Sequence, residues 1–275
     1  MCRVLGVTRS WYYAQASGRV TKRQREDQEL LPMIKSTFEE SQHTYGAQRI
    51  THKLRQSGQR IGKNRVWRLM RENALTVKTR RRFKLTTNSD HKRAVADNLV
   101  QRQFCADAPD RLWTGDITYI ATAQGWLYLA VVLDVFSRRI VGWSMDEHMT
   151  DDLVITALAN ALARRRPSPG FIFHTDRGSQ YCSKRFRATV EKASGIQSMS
   201  GTGCCYDNAI TETFFSTLKR ELVYHCRFTT RQEARSQIFR YIEGFYNRTR
   251  IHSALGYLAP EQFEQHQAQN NRLTI

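Results

Sequence analysis

Apolar residues recur at helical spacing through the first third of the chain and give way, near residue 110, to short dense runs of strand-forming residues. Leu31, Ile34 and Phe38 predict a helix over 31–42, broken by Tyr45-Gly46. Ile50 and Leu54 predict a second over 47–56, which Ser57-Gly58 stops. Val66, Leu69 and Met70 share one face of a third over 63–73, leaving Arg65, Arg68 and Arg71 on other faces. Three short helices with a tight glycine-containing turn fit a helix-turn-helix plan; an ordinary three-helix cap fits the same periodicity.

Beyond residue 110 the runs 113–120, 126–134 and 140–145 predict three consecutive strands, punctuated by Gln124-Gly125 and by Ser137-Arg138-Arg139. A helix through Leu153, Ile155, Leu158 and Leu162 follows, with Asp151 or Asp152 as its cap. Residues 171–174 read as a strand buried on both faces, 184–193 as a helix and 196–199 as a short strand. Asp207-Asn208 then offer caps to a helix whose core stripe is Ile210, Phe214 and Leu218. The expected class is α/β, a mixed sheet flanked by helices and preceded by a small helical domain. The expected boundaries are a helical region over 1–77 with its helix-turn-helix-like segment at 31–75, a basic linker over 78–108, a core with a helical tail over 109–265, and a flexible end over 266–275.

Charge sharpens this division. The 275 residues carry a net charge of +18, and 22 basic against 8 acidic residues fall within 1–100. So basic a segment attracts a polyanion, DNA or RNA first, through counterion release. In the linker, Arg80, Arg81 and Arg82 beside Phe83 suit a phosphate-contacting arm, and equally a plain solvated charge run. No apolar run approaches bilayer-spanning length and the chain opens on no secretory signal, so an intracellular protein without a membrane partner is expected. The six cysteines form no CxxC pair, which argues against a zinc knuckle and a disulfide framework.

Three acids stand in three contexts: Asp116 in WTGDITYI, Asp176 in FHTDRGSQY and Glu212 in YDNAITETFFSTLKREL. Asp116 is in phase with Thr114 and Thr118, so that polar phase is expected to face outward. Asp176 ends a strand, where ligands bind in mixed α/β sheets. At about 100° per residue, Glu212 and Lys219 fall on one line of their helix, off its apolar stripe. Singly each acid is an unremarkable cap, turn or surface residue. Together, in a basic chain, they suggest an oxygen-donor site for two Mg²⁺ ions acting on a phosphodiester. His174 shares the strand face of Asp176 and is a candidate supporting residue. Asp134 reads as a strand end or turn residue.

These blocks closely resemble insertion-sequence transposases with a retroviral-integrase-like catalytic core, of the type encoded by the second of two overlapping reading frames. WTGDITYI resembles the family's first-Asp strand, HTDRGSQY its second-Asp block and CYDNAITETFFSTLKREL its Glu helix. YNRTRIHSALGYLAPEQF resembles its tail, while CRVLGVTRSWYY and HTYGAQRI resemble its N-terminal and helix-turn-helix regions. One departure is Gly203-Cys204 where the family usually has Gly-Asn.

The resemblance implies a ribonuclease-H-like fold and Asp116, Asp176 and Glu212 as ligands of two Mg²⁺ or Mn²⁺ ions. It implies DNA cleavage at element ends and transfer of a 3′-hydroxyl to target DNA, usually through a circular intermediate. Lys219 would contact DNA phosphate near the scissile bond. Beside the resemblance, the basic residues Arg177, Arg65, Arg68 and Arg80–Arg82 are further candidate DNA contacts. A homo-oligomer on DNA, fusion or association with the upstream-frame product, and a cytoplasmic, nucleoid-associated bacterial setting follow from the same resemblance. The competing readings are a nuclease or resolvase of this fold that cuts without joining, and a non-catalytic DNA-binding regulator.

Overall fold

The computed structural model describes residues 2, 4, 6–16, 20–78, 96–100, 105–201 and 208–273. Arg80–Arg82, Asp207 and the Cys204-Cys205 loop lie outside the described residues. The chain divides into two compact units, Met1–Val77 and Lys78–Ile275. Among the described residues no helix is long and apolar enough to cross a membrane.

In the first unit α1 (Arg9–Ala16) precedes α2 (Lys22–Glu40), α3 (Ala47–Gln56) and α4 (Lys63–Glu72). The second of these begins nine residues before the expected start at 31. The reason is local: Thr21 and Gln24 form a reciprocal capping box, so a polar first half with no apolar periodicity still has a fixed start. Ile34, Phe38, Ile50, Leu54, Val66, Leu69 and Met70 are buried and supply the core of the unit.

In the second unit β1 (Leu112–Thr122), β2 (Gly125–Asp134), β3 (Ile140–Asp146), β4 (Ile172–Thr175) and β5 (Ile196–Met199) form one sheet of order β3-β2-β1-β4-β5. The first three pair antiparallel; β4 lies parallel to β1 and to β5. The β1–β2 hairpin turns at Gly125, whose φ of 101° is open to glycine and strained for other residues. Helices α5 (Asp151–Arg165) and α6 (Lys184–Lys192) cover one face. There Trp113, Val132, Val141, Leu153, Leu158, Phe171, Phe173, Phe186 and Val190 form a continuous buried cluster. Thr150, not Asp151 or Asp152, is the N-cap of α5; both aspartates sit in its first turn and pair with Arg185.

Asp134 ends β2, and its side chain holds the turn that follows. Its buried carboxylate accepts from Asp110 N and Ser137 N, both at 2.9 Å, and from the Ser137 hydroxyl at 2.6 Å. Burial pushes its pKa up to about 6 against these three bonds.

The other face of β1 is covered by α7 (Ala209–Glu221). Thr114 and Thr118 are therefore buried, where the strand's polar phase was expected to face outward. Past α7 come α8 (Arg231–Phe239), a π-helical turn over Arg240–Tyr246 and α9 (Pro260–Leu273). The last helix runs through the end expected to be flexible from 266. Its first turns are anchored by Glu264, which pairs with Arg139 at 2.8 Å and Arg165 at 2.9 Å, and by Phe263 against Phe136. Cross-chain anchors of this kind leave no periodic trace in a polar segment.

Candidate active site

Register brings the first two acids together. The β1–β4 ladder ends at Gly115↔Thr175, so Asp116 and Asp176 are the next residues on two neighbouring strands. Such strands run about 4.8 Å apart. Gly115 is required by this packing: a Cβ there would lie 2.8 Å from Phe173 Cζ and 3.4 Å from the Tyr181 hydroxyl. Gly115→Ala is expected to destabilise the fold by about 1–3 kcal/mol and to displace the strand at Asp116. Urea unfolding of both forms measures this, and an unchanged midpoint would show that Phe173 gives way freely.

Two hydrogen bonds seat the first turn of α7 over the same strand. The Thr211 hydroxyl donates to Thr114 Oγ1 at 2.7 Å, both residues fully buried. Asn208 Nδ2 donates to the Gly115 carbonyl at 3.2 Å. Asn208 begins the helix but makes no side-chain capping bond, and its Nδ2 bonds β1. Its Oδ1 is buried without a hydrogen-bond partner among the described residues. Glu212 follows Thr211 directly and is exposed, while Lys219, seven positions on, is half-buried.

The electrostatics tie these elements together. Burial raises the Asp116 carboxyl well above the ordinary carboxylate range; the Asp176 charge raises it further and Glu212 adds to this, against the Ile117 N–H and Lys219. Glu212 is raised by desolvation and then by Asp176. Lys219 is lowered by burial, and Asp116 opposes that shift. The Tyr181 phenol is pushed well up by burial, with Asp116 and Asp176 adding to it. Three carboxylates and one ammonium, from β1, the end of β4 and α7, thus share one field.

Both aspartates are also bound locally. Asp116 Oδ1 accepts from Ile117 N at 2.7 Å, and Asp176 Oδ1 accepts from Gly178 N at 3.0 Å. As the side chains stand, no three His, Cys, Asp or Glu residues among the described residues are grouped closely enough to hold a metal ion.

The remaining candidates make bonds of their own. Arg177 Nε donates to the Ser200 carbonyl at 2.7 Å, tying the end of β4 to the end of β5. His174 is fully buried with Nδ1 2.9 Å from Ser198 Oγ and Nε2 3.5 Å from Ser200 Oγ, so it links β4 to β5. In the first unit Arg65 pairs with Glu26 at 3.1 Å and Asp27 at 2.7 Å, and Arg68 pairs with Asp27 at 2.5 Å and Glu72 at 2.9 Å. Asp27 holds both guanidiniums above their ordinary range and is itself held low by Arg68 and Arg65, against its own desolvation. These arginines clamp α2 to α4. The outward stripe of α4 is instead Lys63, Asn64, Trp67 and Arg71, the last stacked over the Trp67 ring at 5.5 Å.

Comparison with known proteins decides the family. A family described as integrase core domain matches residues 106–205, a second integrase core domain family matches 212–267, and an HTH-like domain matches 24–83. Transposase InsF for insertion sequence IS3A of Escherichia coli (strain K12) is 44% identical over 266 residues, 96% of this chain and 92% of that one. The chain belongs to the IS3-family transposases. The insertion element IS600 uncharacterized 31 kDa protein of Shigella sonnei is likewise 44% identical, over 96% of the transposase and 97% of its own length. The fold agrees. A chain in the cryoEM structure of the simian T-cell lymphotropic virus intasome in complex with PP2A regulatory subunit B56 gamma matches at a TM-score of 0.50 and 15% identity, covering 80% of the transposase and 70% of that chain. The transposase is a polynucleotidyl transferase with an integrase-type, ribonuclease-H-like core and an HTH-like N-terminal domain.

Thr114, Asn208, Thr211 and Tyr181 escaped the sequence reading. Thr114 carried a usable signal, its phase with Asp116. Thr211 and Asn208 carried none, because a hydroxyl or amide on a helix reads as a surface or cap residue until the facing strand is known.

Proposed function

We propose that the transposase cleaves its element's ends and joins the freed 3′-hydroxyl to target DNA with Asp116, Asp176 and Glu212 as the acids of the reaction. The observation that carries this is the placement of Asp116 and Asp176 where the β1–β4 ladder ends, with the helix that bears Glu212 and Lys219 bonded onto the same strand at Thr114 and Gly115. Their donor set suits a hard divalent cation: three carboxylates, with no thiolate or imidazole, whose mutual repulsion a bound cation relieves. Held by them, one or two Mg²⁺ or Mn²⁺ ions would supply a more acidic water or 3′-hydroxyl and polarise the phosphoryl oxygen.

The chain's own residues do the positioning. The backbone bonds to Asp116 and Asp176 fix two carboxylates on adjoining strands. The Thr114–Thr211 and Gly115–Asn208 bonds fix the helix that carries Glu212. Lys219 places an ammonium beside the acids, where it orients the scissile phosphate and offsets its charge. Terminal repeats and target DNA are the partners of this reading, taken by a homo-oligomer in the bacterial cytoplasm in association with the upstream-frame product.

Strand transfer of a terminal-repeat oligonucleotide in Mg²⁺, with wild type and Asp176→Asn, tests the reading. Joined product from the wild type alone is the expected result. Equal activity in both removes Asp176 from the chemistry, and cleavage without any joined product favours a nuclease that only cuts.

A further inference from the structure

Past Asp116, β1 runs on to two aromatic rings that the fold leaves in solvent. Tyr119, three residues further on, is 36% exposed, and Trp126 on β2 is 49% exposed. With Tyr119 opposite Tyr128 and Ala121 opposite Trp126, the two rings form a diagonal cross-strand pair. They meet edge to face with centroids 4.9 Å apart. Lys219 Nζ lies 5.1 Å from the centre of the Tyr119 ring and enters the field of Asp116. One ammonium therefore borders both the acidic centre and the aromatic pair.

The pair also has a fixed seat. Arg231 Nε donates to the Trp126 carbonyl at 3.1 Å, Arg231 N donates to Gln124 Oε1 at 3.0 Å, and Arg231 pairs with Glu147 at 2.7 Å. An aromatic cross-strand pair strengthens a hairpin through the ring surface it hides, and here about half of Trp126 remains uncovered. A rigid, exposed aromatic next to a cation is the arrangement on which unpaired nucleic-acid bases stack, their phosphates drawn by the charge.

We infer that Trp126, backed by Tyr119, is a stacking platform for an unpaired DNA base beside the scissile phosphate, with Lys219 between base and reaction centre. This rests on the catalytic reading above and adds to it a substrate-positioning residue. An extruded base holds the strand in register while the acids act, and its attraction is independent of base identity because every base has a π-face.

The test is fluorescence of 2-aminopurine placed, one position at a time, across the nucleotides flanking the cleavage site of a terminal-repeat oligonucleotide bound to the full chain. Wild type is expected to quench the probe at one position. Trp126→Ala is expected to lose that quench and to slow strand transfer about tenfold or more, with Trp126→Phe restoring most of both. Deleting the base at that position should leave wild type and Trp126→Ala equally fast. Retained quench in Trp126→Ala overturns the inference. So does equal loss in the Ala and Phe variants accompanied by a lowered melting temperature, which assigns the ring to hairpin stability. Asp176→Asn separates the two readings: it should keep the quench and lose transfer, and if it keeps transfer the catalytic assignment fails while the quench still judges Trp126.

Discussion

Asp116→Asn is expected to abolish strand transfer and, in the same molecule, to raise the melting temperature of the metal-free protein. The two effects have one cause. Asp116 is half-buried, and its desolvation together with the charges of Asp176 and Glu212 disfavours its ionised form. Asparagine keeps the shape and the Oδ1 that accepts from Ile117 N, and removes the charge. The gain should be on the order of 1 kcal/mol, about 2–4 °C for a unit of this size. The loss of activity should be about 10³-fold, or ~4 kcal/mol of barrier. Thermal scans with a chelator and then with Mg²⁺ separate the contributions. Mg²⁺ should raise the wild-type midpoint by binding the native state and raise that of the Asn variant less. An Asn variant that melts lower than wild type and still joins DNA ends would sink the assignment of Asp116 as a strained, functional acid.

What the sequence makes legible follows from how local each determinant is. Strand 1, the Gln124-Gly125 turn and the α7 stripe of Ile210, Phe214 and Leu218 depend on neighbours within a few residues, and the structure has them close to where the pattern puts them. The acids stand out through the residues around each, and the family resemblance orders them. Spacing alone could not have paired 116 with 176, since that depends on where the β1–β4 ladder stops. Arg65 and Arg68 show the limit from the other side. A guanidinium on a basic helix gives no sign of its pairing with Asp27, far back along the chain. Thr114 looked outward because a period-2 phase says which residues share a face, and not whether a helix will cover that face. The hydroxyls that His174 meets lie on and just past the next strand, so they too were out of reach of a local reading.

The largest stability loss is expected where the Glu helix is tied to the tail. Glu221, the last residue of α7, and Arg250 are only 10% and 6% exposed and pair at 2.8 Å. Arg250 Nε also donates to Glu221 at 2.8 Å, and the Tyr241 hydroxyl donates to Glu221 Oε2 at 2.7 Å. Burial alone would depress the Arg250 guanidinium, and Glu221 more than offsets it, leaving the group above its ordinary range. Burial, and then the Glu221 charge, push the Tyr241 phenol well up. Arg250→Ala takes the guanidinium away from a buried carboxylate, at a cost of about 3–5 kcal/mol. A double replacement, Glu221→Leu with Arg250→Met, removes both charges and should recover much of that, because the desolvation cost disappears with the pair. Urea midpoints of the three proteins measure this, and a double variant as unstable as Arg250→Ala would show that the ion pair itself stabilises the native state. The same comparison reaches the active site. Glu212 and Glu221 share α7, whose first turn hangs from Thr114 and Gly115 and whose last residue hangs from Arg250. If the C-terminal anchor sets the helix's alignment, the double variant regains stability while its strand transfer stays below wild type, since apolar contact fills the space without fixing the angle of the helix that carries Glu212.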